Sequence, residues 1–161
     1  MRLQIRRFEE EVKLRRPQGP SQIEDLMRLV IRRPDSEAIF GEAGRRIAER
    51  YWHQRASGLR ALVRFLPRAI ALLFAQRAGK RMFGELVGPS SFTIGRRPES
   101  LRIDSPMTCR ADPSGAACSL YAGAFLALLE LYTGRRYRVL HTSCATSSGE
   151  ELCEWSVEMR E

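Results

Sequence analysis

The segment LYAGAFLALLELY, Leu120–Tyr132, constrains the fold more than any other stretch of the chain. Its only charge is Glu130, and no polar face runs along it. A helix that is apolar all round must be covered on every side. The run is shorter than the ~20 residues that span a bilayer, so it reads as a buried core helix. Gly134 then supplies its C-cap. The rest of the chain has to provide the cover.

Upstream, three segments have helical spacing. SQIEDLMRLVIRR opens on Ser21 with Glu24 three residues on, a capping-box pattern, and Leu26, Leu29 and Val30 share a face. DSEAIFGEAGRRIAERYWHQ is capped by Asp35 or Ser36 and predicts a buried stripe of Ile39, Ala43, Ile47 and Tyr51. Pro67 begins PRAIALLFAQRAGKRMFGEL, whose apolar side carries Ile70, Leu73, Phe74, Ala78 and Phe83. After Gly88 the period becomes two. Phe92 with Ile94 and Leu101 with Ile103 predict a hairpin turned by RPES. CRADPSGA, Cys109–Ala116, reads as a polar loop leading into the apolar helix. YRVLHTSC and LCEWSVEM predict a second hairpin around ATSSGE. The expected fold class is α+β, helices packed on a small antiparallel sheet of two hairpins. The break at RRPQGPSQ sets off residues 1–34 as an N-terminal arm with a short amphipathic helix, leaving 35–161 as the main domain.

The net charge of +8 is unevenly placed. Residues 1–100 carry 21 Lys and Arg against 11 Asp and Glu, and residues 101–161 carry 6 against 8. Arg60, Arg64 and Arg68 are four apart with Pro67 interposed, and Arg77, Lys80 and Arg81 extend the basic character. Such groups suit the carboxylates of an anionic ligand such as a porphyrin, or phosphate. A mostly solvated face is the preferred reading. Nucleic acid is disfavoured, because no helix-turn-helix or aromatic-rich basic strand is present. LVRFLPRAIALLF mixes apolar and cationic residues in the manner of a membrane-surface helix, ranked below the solvated face. The N-terminus lacks the apolar core of a secretory signal, so a cytoplasmic location is expected. Four cysteines there are expected to be thiols or metal ligands rather than disulfides.

The segment HTSCATSSGEELCEW holds His141, Cys144 and Cys153. Across an antiparallel ladder, facing residues lie about 4.5–5.5 Å apart, so the two sulfurs can meet. Cys118 opens the apolar helix, where the dipole and free N–H groups favour a thiolate. With His141 these residues would complete a Cys₃His zinc site, closed and therefore structural. The spacing leaves a buried thiol pair, a reversible Cys144–Cys153 disulfide and an exposed His141 open as alternatives. No GxGxxG, GxSxG or HExxH motif supports catalysis. His53, beside Trp52, reads as a surface residue.

The segment from Ala117 to Glu158 resembles the C-terminal half of the vinyl-4-reductase domain family. The pattern is Cys118 at the start of a long apolar helix with Gly123 inside it, Cys144 closing a strand, Gly149 in the turn, then Cys153, Trp155 and Val157. The family shares its fold with the TRAPP transport-particle subunits. It includes a bacteriochlorophyll-synthesis protein linked to reduction of a tetrapyrrole vinyl group, aromatic-sensing domains and small-molecule-binding proteins. The resemblance implies zinc on Cys118, Cys144 and Cys153, with His141 at the position of the sensor branch's carboxylate. It also implies a ligand chamber, for which Phe74, Phe83, Tyr121, Phe125, Trp155 and Trp52 are the lining candidates, and a homodimer. The expected function is binding of a small hydrophobic or aromatic molecule, a tetrapyrrole among them, with no catalytic residue assigned. A vinyl reductase or accessory factor and a ligand-free dimeric scaffold are the alternatives.

Overall fold

The computed structural model describes residues 20–54, 66–88, 92–96, 99–104, 106–144 and 152–159. In chain order the elements are α1 (Pro20–Ile31), α2 (Ser36–His53), α3 (Arg68–Val87), β1 (Phe92–Arg96) and β2 (Glu99–Asp104). They continue with α4 (Met107–Ala111), a 3₁₀ turn (Ala116–Cys118), α5 (Ser119–Thr133), β3 (Tyr137–Ser143) and β4 (Leu152–Met159). The four strands form one antiparallel sheet in the order β1-β2-β4-β3. Both expected hairpins are present, and pairing of β2 with β4 joins them. The fold is α+β. Arg60 and Arg64, and the turns RPES and ATSSGE in large part, lie outside the described residues.

Strand alternation sorts the sheet into two faces. Leu101 pairs with Trp155 and Ile103 with Cys153, and all four are buried on the side covered by helices. Between them, Arg102 pairs with Glu154 on the other face, with Arg102 Nε 2.8 Å from Glu154 Oε1. The core joins Leu101, Ile103 and Trp155 to Phe83, Phe125 and Leu128. The α5 helix is the centre of the fold and touches α2, α3 and β3. Gly134 ends it in the left-handed region at φ 66°, its N–H bonding to the Glu130 carbonyl. The stretch Ala116–Thr133 is long and apolar enough to cross a membrane by length and composition, a longer window than Leu120–Tyr132 alone. Half of it is buried inside this fold.

The expected stripe in α2 falls on different residues, and that in α3 holds only at Ala78 and Phe83, with Phe74 half-buried. In α2 the buried positions are Ser36, Phe40, Gly44, Ala48 and Trp52, four apart throughout, while Ile39, Ala43, Ile47 and Tyr51 are half-buried. The reason is backbone contact. A Cβ on Gly44 would lie 1.9 Å from the Leu120 carbonyl oxygen, and one on Gly123 would lie 2.1 Å from that of Gly41. The two helices meet through glycine, which no scale of side-chain hydropathy registers. In α3 the buried face is Ala71, Ala75, Ala78, Gly79, Met82 and Phe83, and Ile70 and Leu73 are exposed. Here too small residues admit close packing: a Cβ on Gly79 would meet Ile94 and Leu128.

Two expected boundaries move, and the Asp35 cap stands in place without its side-chain bond. Pro67 caps α3 from outside, and Ser21 lies within α1 instead of before it. Asp35 precedes α2 without capping it through its side chain, and takes a two-pronged ion pair from Arg33, at 2.8 Å for each oxygen. The polar segment after β2 contains a helix, α4. Met27 of α1 packs with Phe40, Ala111 and Ala117, so residues 20–31 of the expected arm lie against α4 and the 3₁₀ turn.

Candidate metal centre

Four cysteines converge where α4, the start of α5, the end of β3 and the start of β4 meet. They are Cys109, Cys118, Cys144 and Cys153, and their sulfurs all lie within 4.8 Å of one another. Cys109 Sγ is 3.5 Å from Cys118 Sγ and 3.3 Å from Cys153 Sγ, and Cys153 Sγ is 3.9 Å from Cys144 Sγ. None is in a disulfide. A tetrahedral zinc with Zn–S bonds of about 2.3 Å places its sulfurs roughly 3.8 Å apart. Separations of 3.3–3.9 Å bracket that spacing and all lie within 4.8 Å, so the arrangement is compatible with a four-sulfur metal site.

Each cysteine has a structural reason for its place. Cys153 is on the inner face of β4 beside Ile103. Cys144 follows a register irregularity between His141 and Ser143 at the end of β3. Cys109 and Cys118 are held by the turn between α4 and α5. There the fully buried Asp112 accepts hydrogen bonds at Oδ1 from the Ser114 N–H (2.9 Å) and hydroxyl (2.5 Å), and at Oδ2 from the Ala117 N–H (2.8 Å). Gly115 takes the left-handed φ of 82° that closes the turn. Burial alone would raise the Asp112 carboxyl, but these bonds outweigh it and hold the group below its ordinary value.

The surroundings are apolar, and the thiols respond accordingly. Burial pushes Cys109 up to about 12, with Cys153 adding to the rise. The hydrogen bond to Cys153 and burial hold Cys118 above the ordinary thiol range, and the Thr108 hydroxyl, 3.4 Å away, acts the other way. Burial likewise raises the Tyr121 phenol. Burial thus favours the neutral thiol at Cys109 and Cys118. A bound divalent ion reverses that balance and takes thiolates as ligands.

The expected trio Cys118, Cys144 and Cys153 is therefore brought together, and the fourth sulfur is Cys109 in the position given to His141. His141 is exposed. It pairs across the ladder with Trp155 and stacks on its indole, ring centroids 4.8 Å apart at 9°. Cys109 escapes a reading of the sequence because it stands in a segment rich in turn residues. One signal could have found it. Cys109–Cys118 and Cys144–Cys153 share the spacing C-x₈-C.

The six expected pocket residues all pack in or against the hydrophobic core. Tyr121 meets Trp155 edge-on at 5.8 Å, Phe83 meets Phe125 at 6.3 Å, and Trp52 meets Tyr132 at 4.6 Å. Phe74 is half-buried against the same cluster. An open groove of about 500 Å³ lies elsewhere, over the α2–α5 seam, lined by Ala38, Gly41, Ala122, Gly123, Leu126 and Val139 among others. None of the six aromatics lines it. His53 is exposed at the end of α2. No protein-family model, curated protein or solved structure matches the chain.

Proposed function

We propose that the four cysteines hold a structural zinc ion, and that the domain it staples binds a small hydrophobic or aromatic molecule. The observation that carries the first part is the convergence of four sulfurs within 4.8 Å. Four protein ligands fill a tetrahedral ion, which leaves no open position for substrate. The ion would tie α4 and the start of α5 to both strands of the second hairpin. His141 contributes by covering Trp155.

The second part is supported by the resemblance to the vinyl-4-reductase family and by two polar atoms in the core. Trp155 Nε1 and Tyr137 Oη are buried with no hydrogen-bond partner among the described residues. Each unmet group costs on the order of 1–3 kcal/mol. A flat aromatic ligand carrying an acceptor, entering beside Trp155 as the aromatics part, would offset that cost. A tetrapyrrole is one such ligand. A TRAPP-like arrangement and a homodimer belong to the same reading.

Native mass spectrometry of freshly purified protein tests both parts. We expect one zinc per chain and a non-covalent adduct released on denaturation. Less than about a tenth of an equivalent of zinc, with the thiols reduced, overturns the metal site. Zinc without an adduct, and no thermal stabilisation by a panel of aromatic and tetrapyrrole compounds, overturns the ligand reading alone. Turnover of a divinyl tetrapyrrole with a supplied reductant would replace binding by catalysis.

A further inference from the structure

The α3 helix presents an outer face that the fold leaves uncovered. At 100° per residue, Ile70, Leu73, Arg77, Lys80 and Arg81 fall within an arc of roughly 100°, opposite the Ala75–Met82 face that packs inward. Ile70 is 41% and Leu73 43% exposed, two of three large hydrophobic residues so placed among the described residues. Arg77, Lys80 and Arg81 are exposed as well, and none forms an ion pair with a described residue. The one acid in α3 is Glu85, at its far end. By contrast, two of the arginines on α2 are matched by acids: Arg45 and Arg46 both engage Glu42, and Arg45 also engages Glu49.

We infer that this face of α3 docks on an anionic phospholipid surface. Its chemistry is two-part along about 17 Å of helix, an aliphatic end followed by three cations. A bilayer rich in acidic headgroups offers both complements at one level, acyl chains for Ile70 and Leu73 and phosphates for the basic residues. A second copy of the same face would bring three cations against three. Two aliphatic side chains would also supply little of the 1,200–2,000 Å² that a stable interface typically buries. Nucleic acid would satisfy the cations and leave Ile70 and Leu73 in water. The inference is independent of the metal site and of the ligand reading.

The test is co-sedimentation of the full chain with vesicles of phosphatidylcholine alone and of phosphatidylcholine with an equal share of phosphatidylglycerol. Binding is expected only to the acidic vesicles, weakening as salt is raised. Arg77→Gln/Lys80→Gln/Arg81→Gln should weaken it roughly a hundredfold. Ile70→Gln/Leu73→Gln should weaken it about tenfold with the charge intact. Arg135→Gln/Arg136→Gln/Arg138→Gln removes equal charge elsewhere and should change it less than about threefold. Circular dichroism and a thermal melt report that each variant is folded. Equal losses in the two triple variants would reduce the effect to net charge and overturn the proposal. So would an unaltered affinity in the aliphatic variant, equal binding to neutral vesicles, or binding of duplex DNA with none to vesicles.

Discussion

The α2–α5 seam and the sulfur cluster act on the same end of α5. At the seam, Gly44 and Gly123 bring two backbones together, and the fit is steric. One turn away, Cys118 enters a cluster whose four thiols come from three separate parts of the chain. Ser119 stands between them, its hydroxyl 2.9 Å from the Glu37 carbonyl of α2 and 2.6 Å from the Ala116 carbonyl of the 3₁₀ turn. The seam is complete as a polypeptide, whereas the cluster, on the reading proposed above, is completed by a cation. If so, one element is fixed by excluded volume at one point and by coordination chemistry at the next, and the two should fail under different insults.

The sharpest test of that contrast is metal removal. Structural zinc contributes on the order of 10 kcal/mol of apparent binding energy in small domains, comparable with the whole stability of an ordinary fold. A strong chelator under reducing conditions is expected to abolish the cooperative thermal transition, and added zinc to restore it. Cys109→Ser should behave like Cys118→Ser, with zinc lost from both. An unchanged melting curve after complete chelation would put the cluster on the same footing as the seam.

Gly44→Ala attacks the other side. Its Cβ would stand 1.9 Å from a backbone oxygen, and no side-chain rotation relieves that. We expect a loss of roughly 3 kcal/mol in denaturant unfolding, the upper end for overpacking, with zinc content unchanged. Zinc loss in step with stability would show that the seam and the cluster are one cooperative unit.

Asp112→Asn probes the scaffold behind the sulfurs. The amide would turn a donor toward one of the N–H groups now satisfied, at a cost of about 1–3 kcal/mol. The folded carboxyl lies below its ordinary 3.8. Its contribution is therefore present above the unfolded value and lost as the pH falls through the folded one. The stability difference between wild type and Asp112→Asn, in which metal loss at low pH cancels, should shrink below about pH 4. A difference independent of pH across that range would remove the carboxylate from the account.

The parts of the fold legible in the sequence are those governed by side-chain period. Phe92, Ile94, Leu101 and Ile103 mark a hairpin, and the run to Tyr132 marks a central helix. The parts that escape are governed by backbone proximity. Gly41, Gly44 and Gly123 carry no hydropathy, so the α2 stripe is displaced by one residue toward them. Ile70 and Leu73 look like core because the period marks an apolar side without saying what covers it. In the sulfur cluster, the three cysteines that border an expected helix or strand are legible. Cys109 is hidden in a segment whose Pro, Gly and Asp signal a turn, although the turn itself, braced by Asp112, is what delivers the sulfur.

The smallest effect concerns His141, the residue whose place Cys109 takes. An exposed ring stacked on a buried indole contributes through contact area and is worth under about 1 kcal/mol. His141→Ala is expected to keep one zinc per chain and to lower stability by that amount. The variant exposes Trp155, so indole fluorescence should shift to the red while the thiol count protected from alkylation by zinc stays at four. If zinc affinity instead falls by more than roughly a hundredfold, the upper end for loss of a supporting contact, the imidazole is a ligand and Cys109 is the bystander. The sulfur cluster would then be a three-cysteine site completed by the sheet edge, and the tie from α4 to the hairpins would have to come from packing, as it does at the seam.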